Sequence, residues 1–317
     1  MIMGNRFRPQ PVIAVVGPTA AGKSELSLRL AHVLDGEVIN ADSMQLYRGM
    51  DIGTGKLTFA ERGGVPHHML DIWDVTETAS VSEYQRLARA VIADVQRRGR
   101  IPILVGGSGL YVRAAIDNLE FPGTEPALRA RLEAELAALG PAVLHGKLAA
   151  ADPAAAAAIL PTNGRRIVRA LEVIELTGRP FSATLPEYAS LLPAAQLGLS
   201  VPRPDLDLRI AARVSKMWRD GLVDEVRRLA DRGVHGGLRA GRTASRALGY
   251  AQVLRFLDGE WTRAEAEDQT VRLTRRFARR QESWFRRDPR VHWLSAAKPV
   301  STRLALAVIG DSAASGG

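Results

Sequence analysis

Eight residues near the amino terminus have the types and the spacing of a loop that binds phosphate groups. They follow the apolar run Val12–Val16 and read Gly17-Pro18-Thr19-Ala20-Ala21-Gly22-Lys23-Ser24. Such a run is typical of a buried parallel strand, and a helix is predicted to begin near Lys23. In that context backbone N–H groups converge on an anion, and the positive end of the helix adds to their field. The sequence therefore predicts a site for a phosphorylated small molecule.

Three side chains of this loop could assist the transfer of a group directly. Lys23 supplies a positive charge to the terminal phosphates, and the Ser24 hydroxyl is placed to bind Mg²⁺. Thr19 adds a second hydroxyl. A nucleoside triphosphate is the usual occupant of such a loop, but the loop does not itself define which phosphates it holds.

A carboxylate, Asp42, follows the predicted second strand at residues 37–40. Parallel strands present their functional loops at one edge of a sheet. Asp42 should therefore meet the phosphate loop and the Gly106-Gly107-Ser108-Gly109 loop in one crevice. An aspartate there can bind Mg²⁺ or act as a general base. Ser108 can donate a hydrogen bond to a reactant or can satisfy its own glycine-rich turn.

The elements that must position these residues alternate along the first third of the chain. Strand-like runs at 12–16, 37–40 and 101–105 are separated by helical patterns at 23–34 and 84–98. This alternation predicts an α/β fold class, a P-loop NTPase-like parallel sheet flanked by helices. A later Ala- and Leu-rich stretch with proline and glycine breaks predicts an inserted all-helical lobe.

Changes of composition divide the chain into four predicted segments. The first part of the core covers 10–121, and the helical insertion covers 122–195. The second part of the core covers 196–309, with predicted helices at 206–232, 244–257 and 264–287. The Ser-, Ala- and Gly-rich tail at 310–317 is expected to fray.

The composition excludes several classes of protein. Without cysteine the chain can form no disulfide, thiolate nucleophile or Cys-ligated zinc site, and its six histidines lack the HExxH spacing. The adjacent His67 and His68 are typical of packing or hydrogen bonding rather than catalysis. No run approaches the about 18 apolar residues of a membrane span, and the amino terminus lacks the apolar segment of a signal peptide. We expect a cytoplasmic monomer without membrane contact.

The formal net charge of +9 favours a polyanionic partner. Between residues 269 and 292, eight arginines accompany two acids. At about 100° per residue, four of them form one stripe beside an apolar stripe: Arg272, Arg275, Arg276 and Arg279. We expect one face of this helix to pack on the core and the basic face to follow nucleic-acid phosphates.

The block at residues 42–56 resembles the second signature of the tRNA isopentenyl transferase family. Further family-like blocks follow in order at 65–71, 106–111, 165–173, 247–250 and 274–286. In this family the phosphate loop holds the diphosphate of dimethylallyl diphosphate. The resemblance implies transfer of the dimethylallyl group to the exocyclic amine of the adenosine 3′-adjacent to the anticodon in tRNA, with release of diphosphate.

The resemblance also implies roles for individual residues. Asp42 would remove a proton from the amine. Thr19, Lys23 and Ser24 with Mg²⁺ would stabilise the departing diphosphate, and Ser108 would add a hydrogen bond. The implied contacts with the tRNA anticodon stem-loop are Asp42, Ser43, Met44, Gln45, Ser108, Arg129, Arg165, Arg166, Arg169, Arg272, Arg275, Arg276, Arg279 and Gln281. By sequence alone, Arg129 would be an ordinary exposed helix residue.

The residues themselves leave three other functions open. A P-loop small-molecule kinase would use the same loop for ATP and Asp42 to activate a hydroxyl, but it leaves the basic helix unexplained. Isopentenyl transfer to a free adenine nucleotide shares the chemistry, although the insertion and the arginine stripe favour a macromolecular acceptor. A non-catalytic RNA-binding module does not account for a complete phosphate loop beside Asp42. No DDxxD run is present, so the phosphate loop is the obvious diphosphate site.

Overall fold

The computed structural model describes residues 10–181, 188–230 and 236–315. The chain divides into two compact units. The core unit comprises Met1–Ile116 and Ser190–Gly317, and the lobe comprises Asp117–Ala189. Both lobe boundaries therefore lie a few residues before the predicted 122 and 195.

The core unit is built on a parallel sheet that has six strands in the described ranges. These strands are β1 (Val12–Val16), β2 (Gly36–Asn40), β3 (His67–His68), β4 (Ile101–Gly106), β5 (Ala194–Ser200) and β6 (Val291–Ser295). Their order is β3-β2-β4-β1-β5-β6, and every neighbouring pair is parallel. β1 is buried at every position because both its edges are paired and its apolar side chains fill the core. The predicted α/β class is confirmed.

Helices flank this sheet, and their caps are readable in the sequence. Ser80 accepts a hydrogen bond from the Glu83 N–H, and Thr262 forms a capping box with Glu265. The core helices before the lobe are α1 (Lys23–Leu34), α2 (Val81–Arg97) and α3 (Gly109–Ile116). Those after the lobe, whose described residues form three further helices, are α7 (Arg203–Arg219), α8 (Leu222–Ala230), α9 (Gly237–Ala240), α10 (Tyr250–Leu257), α11 (Arg263–Phe285) and α12 (Thr302–Ser315). None of the helices in the described part of the chain combines the length and the apolar composition needed to span a membrane.

Three predictions about helical segments differ from the structure by more than a shift of a few residues. The helix predicted at 206–232 is two helices, because Gly221 adopts a φ of 103° between α7 and α8; residues 231 and 232 lie outside the described residues. The helix predicted at 244–257 begins as a short 3₁₀ turn, Ala244–Arg246, before α10. Residues 310–315, predicted to fray, continue α12, since alanine favours a helix.

The described part of the lobe is entirely helical in its regular structure, as predicted. Its helices are α4 (Pro126–Ala151), α5 (Pro153–Ala158) and α6 (Gly164–Thr177), and α4 is kinked at Gly140 just before Pro141. The helices bury a common apolar cluster formed by Leu132, Leu144, Leu148, Ala155, Ala156, Ile159, Ile167, Val168, Ala170 and Leu171. The lobe therefore has its own core.

A buried acid on β2, Glu37, is the hydrogen-bond partner of one of the two adjacent histidines. Both oxygens of Glu37 accept hydrogen bonds from Arg98, and His68 Nε2 lies 2.6 Å from Glu37 Oε2. The guanidinium of Arg98 holds the pKa of Glu37 at about 2, against the effect of burial and with help from His68. His67 Nδ1 donates to the carbonyl of Val65 at 2.8 Å. His68 therefore links β3 to β2, whereas His67 binds the segment just before β3.

Candidate active site

The carboxyl ends of β1, β2 and β4 border one crevice of about 510 Å³ in the core unit. The predicted site residues that line it are Thr19, Ala20, Gly22, Lys23, Ser24, Asp42, Gln45 and Gln281. The structure thus brings the phosphate loop and Asp42 together, as expected for loops at the carboxyl edge of a parallel sheet.

The phosphate loop has the backbone of an anion-binding loop. Gly17 has a φ of 133°, and a Cβ there would lie 2.8 Å from the carbonyl oxygen of Leu199, so the position requires glycine. Lys23 Nζ donates to the carbonyl of Pro18 at 2.8 Å, and this hydrogen bond connects the two ends of the loop. The cap residue of α1 is Gly22, which supplies no side-chain acceptor. The first N–H groups of α1 are therefore open to an anion.

The ammonium group of Lys23 lies in a mixed electrostatic environment. Burial lowers its pKa to about 8. The carboxylate of Asp42 opposes this shift and the guanidinium of Arg213 contributes to it, and the pKa of about 8 already includes both effects. A bound anion would favour the charged form of Lys23, so the site is suited to phosphate oxygens.

Asp42 is held in a tight turn at the end of β2. The Asn40 side chain accepts a hydrogen bond from the Asp42 N–H at 2.9 Å and donates to the Asp42 carbonyl at 3.0 Å. One carboxylate oxygen, Oδ1, accepts the N–H of Met44 at 2.9 Å. Among the residues described, the other oxygen accepts no hydrogen bond. Asp42 therefore presents one oxygen that can take a proton.

Ser108 connects two loops rather than facing the crevice. Its hydroxyl donates to Ser43 Oγ at 3.3 Å and accepts the Ser43 N–H at 3.2 Å. Neither serine belongs to the crevice lining in the described structure. The hydroxyl thus has a structural contact, but its partner is the loop after β2 and not its own glycine-rich turn.

Sequence reasoning missed two arginines of α7 that also line the crevice. Arg213 Nη2 donates to the carbonyl of Thr54 at 3.0 Å, and Arg209 Nη2 donates to the carbonyl of Ala297 at 2.7 Å. Burial lowers the pKa of Arg213, and the charge of Asp42 opposes that effect. The only sequence signal is their four-residue spacing, which puts both on one helix face. The crevice therefore carries more positive charge than its loop motif indicates.

A buried carboxylate on α8 fixes the wall of the crevice formed by Thr54 and Gly55. Glu225 accepts four hydrogen bonds at 2.6 to 3.2 Å, from the N–H groups of Asp51, Ile52 and Gly53 and from the hydroxyl of Tyr250. Its residue surface is 3% exposed. Burial and the neighbouring Glu225 raise the pKa of Tyr250, so its hydroxyl stays a donor. The loop is thus anchored through its backbone.

We expect Glu225→Gln to lower the free energy of unfolding by about 2 kcal/mol, because the new amide group points a donor at backbone donors. Urea denaturation followed by circular dichroism measures this change. The matched control is Glu260→Gln, whose carboxylate is 57% exposed, and we expect it to stay within about 0.5 kcal/mol of the parent. Equal stability of the two variants would show that Glu225 is not an anchor.

The four arginines predicted in the lobe divide into two pairs. Arg165 and Arg166 are exposed on α6. Arg129 and Arg169 both bind the buried carboxylate of Glu172, and Arg169 also donates to the carbonyl of Pro122 at 2.6 Å. Burial raises the pKa of Glu172, but the hydrogen bonds from the two arginines outweigh it and lower the pKa below its ordinary value. Arg129 and Arg169 therefore stabilise the lobe.

The arginine stripe of α11 is narrower than predicted. Arg272, Arg276 and Arg279 are exposed. Arg275 is half-buried and donates to the carbonyl of Asp207 at 3.2 Å. At about 100° per residue it lies at the edge of the stripe, and the packing of α7 covers that edge. Arg275 therefore joins two helices of the core unit.

Gln281 lies on the buried face of α11. Its residue surface is 5% exposed. Its Oε1 accepts the N–H of Thr19 at 2.9 Å, and its Nε2 donates to the carbonyl of Gly107 at 3.0 Å. The structure thus places Gln281 against the phosphate loop instead of on the basic face.

An open basic groove runs beside the end of α11, with a volume of about 750 Å³. Its lining residues are Arg203, Arg279, Glu282, Ser283, Arg286 and Arg287. Glu282 pairs with Arg286 at 2.7 Å and Asp207 pairs with Arg203 at 3.2 Å, so Arg279 and Arg287 dominate its charge. The groove extends the exposed arginines of α11 and includes Arg203 of α7, which sequence reasoning missed.

Comparison with known proteins identifies relatives over nearly the whole length of the chain. The IPP transferase family model matches residues 45–288. The chain is 67% identical over 303 residues to a tRNA dimethylallyltransferase of Thermobifida fusca, covering 94% of each chain. It is 68% identical over 305 residues to that of Streptomyces coelicolor, covering 95% of this chain and 96% of the relative.

Solved structures show the same similarity. The tRNA isopentenylpyrophosphate transferase of Bacillus halodurans is 41% identical, with a TM-score of 0.69, over 96% of this chain and 98% of that one. A eukaryotic dimethylallyltransferase, described in crystallographic snapshots of its action on tRNA, is 26% identical. Its TM-score is 0.82, over 96% of this chain and 80% of that one. The similarity therefore extends over nearly the whole fold.

Proposed function

Because the chain belongs to the IPP transferase family, its reaction is the transfer of a dimethylallyl group to tRNA, and we propose that the crevice of the core unit carries this reaction. Dimethylallyl diphosphate is the donor, and diphosphate is released. The acceptor that we propose is the exocyclic amine of the adenosine 3′-adjacent to the anticodon. The named relatives support neither a small-molecule kinase nor transfer to a free nucleotide.

The observation that carries the proposal is the meeting of the phosphate loop and Asp42 in one crevice. The loop and the first turn of α1 would bind the diphosphate through backbone N–H groups. Lys23 and Arg213 would offset its charge, and the Thr19 hydroxyl would donate to an oxygen that gains charge as the donor breaks. Ser108 would act indirectly, by holding the neighbouring loops.

Asp42 would act as the general base. The lone pair of the adenine amine is delocalised into the ring, so the amine needs help to attack. As the bond between the dimethylallyl carbon and the amine nitrogen forms, the bond from that carbon to the diphosphate oxygen breaks. The amine proton passes to the free carboxylate oxygen of Asp42. Diphosphate leaves with the electron pair of the broken bond.

The donor set of the crevice fits Mg²⁺ bound together with diphosphate. Ser24 and Asp42 both line the crevice and offer oxygen ligands. Mg²⁺ commonly uses one or two protein oxygens, several waters and the phosphates of the substrate. No cluster of three His, Cys, Asp or Glu side chains exists within the described ranges that would suggest a separate metal site. We propose that Ser24 holds the ion, which would neutralise part of the diphosphate charge when bound.

The anticodon stem-loop of tRNA is the proposed macromolecular partner. The exposed arginines of α11 and the adjoining groove offer one basic surface on the core unit, and Arg165 and Arg166 offer another on the lobe. Gln45 lines the crevice, and Ser43 and Met44 directly follow Asp42, where an extruded base would enter. We propose that the enzyme acts as a monomer. We place it in the cytoplasm, with its tRNA substrate.

We expect the triple variant Arg272→Gln, Arg276→Gln and Arg279→Gln to weaken tRNA binding and to flatten its dependence on salt. The slope of log affinity against log salt should fall by about 1 for each phosphate that the variant no longer neutralises. Filter binding at several salt concentrations measures it. The control removes three exposed, acid-paired arginines elsewhere: Arg97, Arg227 and Arg255. An equal decrease of affinity in both triple variants would mean that only net charge matters.

The reaction itself is tested with purified protein, dimethylallyl diphosphate, Mg²⁺ and an unmodified tRNA that carries adenosine 3′ of its anticodon. Nucleoside mass spectrometry should find an adenosine that has gained one dimethylallyl group, and fragment mapping should place it at that position. Parallel reactions with a free adenine nucleotide, and with ATP and small alcohols, should give no product. Product only with the free nucleotide would overturn the proposed acceptor.

A further inference from the structure

One side chain of α11 links the phosphate loop to the loop that follows β4. The amide of Gln281 accepts the Thr19 N–H at 2.9 Å and donates to the carbonyl of Gly107 at 3.0 Å. Thr19 is 262 positions away in sequence, so the contact depends on the complete fold. Because one partner is a donor and the other an acceptor, only one orientation of the amide satisfies both.

The hydrogen bond between Thr19 and Gln281 determines which backbone N–H groups of the phosphate loop can bind a ligand. The Thr19 N–H is already bonded to the protein, so anion binding falls to the later N–H groups of the loop, beginning with Ala20. With its backbone fixed, Thr19 presents its side chain to the crevice that it lines. The Gln281 side chain is closed to solvent, with 5% of the residue surface exposed. It therefore offers little surface to a large RNA, although it lines the crevice.

We propose that Gln281 is a positioning residue for the phosphate loop and not a contact with tRNA. The inference rests on the proposed function of the crevice as the diphosphate site. Gln281 holds Thr19 and Gly107 at a fixed separation, so the loop has its binding shape before the donor arrives. Preorganisation of this kind improves affinity because less backbone entropy is lost on binding.

The test compares Gln281→Met with the parent protein, since methionine fills a similar volume without a donor or an acceptor. We expect the dissociation constant of inorganic diphosphate with Mg²⁺, measured by calorimetry, to rise about tenfold, which corresponds to about 1.4 kcal/mol. The KM for dimethylallyl diphosphate should rise with it. The dissociation constant of tRNA should not change.

The matched variant is Arg276→Gln, on the exposed face of the same helix. It should weaken tRNA binding and leave diphosphate binding unchanged, the reverse of Gln281→Met. If Gln281→Met weakened tRNA binding alone, Gln281 would be a tRNA contact and the inference would be wrong. If the parent protein bound no diphosphate, the proposed function of the crevice would fail first, and this inference with it.

A measurement on the unaltered protein covers the case in which Gln281→Met does not fold. The amide hydrogen of Thr19 should exchange slowly with solvent, because it is bonded to a buried acceptor. Residue-resolved hydrogen exchange by NMR provides the rate. Slow exchange supports the inference. Exchange as fast as that of an unstructured peptide would overturn it.

Discussion

Replacement of Asp42 by asparagine is expected to lower kcat for dimethylallyl transfer by about a thousandfold, within the range for the loss of a general base. Asparagine keeps an Oδ1 that can accept the Met44 N–H, which Asp42 accepts at 2.9 Å. The turn at the end of β2 is therefore preserved, and only the proton acceptor is removed. Single-turnover transfer at saturating tRNA measures the chemical step.

The binding of tRNA by Asp42→Asn should match that of the parent protein. Asp35→Asn is the control, because this aspartate is exposed at the end of α1, where it pairs with Arg100 and does not line the crevice. It should retain full turnover. If Asp42→Asn bound tRNA weakly but turned over normally at saturation, Asp42 would be a binding residue and not the base.

The second large effect is expected for Lys23→Met. This change removes the ammonium group that lines the proposed diphosphate site. We expect kcat/KM for dimethylallyl diphosphate to fall by a factor of about 10² to 10³. Methionine retains most of the length of the side chain, so packing changes little. Initial rates at varied dimethylallyl diphosphate and saturating tRNA measure the decrease. Lys147→Met, which alters a half-exposed lysine of the lobe, should have no effect.

The pH profile gives a second readout of the same lysine. The pKa of Lys23 in the free protein is about 8. Below that value the group is charged and can attract the diphosphate, and above it the group is neutral. The kcat/KM for dimethylallyl diphosphate should therefore decline as pH rises through about 8 in the parent protein. A decline of the same shape in Lys23→Met would assign it to another group.

The sequence predicts best where structure is decided locally. The glycines and the lysine of the phosphate loop act within eight neighbouring residues, and both β1 and α1 have the predicted bounds. The position of Asp42 could also be predicted, because the apolar run of β2 shows where that strand ends. The two-residue strand β3 is too short to show any period. Its existence depends on pairing with β2.

Side chains whose partners are distant in sequence were harder to predict. Helical periodicity places Arg275 within the basic stripe, but it cannot show that α7 packs over that edge. For Arg129 and Arg169, the decisive fact is the buried carboxylate of Glu172, which charge counting treats as one more surface acid. Arg213 enters the crevice only through the packing of α7. In each case tertiary contact overrides the local pattern.

The position of β1 in the sheet has a consequence for synthesis of the protein on the ribosome. β1 pairs with both β4 and β5, and the β5 partner of Val15 is Leu197. A nascent chain therefore cannot complete the centre of its sheet until the lobe has emerged, whereas the lobe gathers its apolar cluster from nearby sequence. Contacts that are local in sequence form faster. We expect the lobe to be the first autonomous structure of the growing chain, and the catalytic crevice to be assembled last.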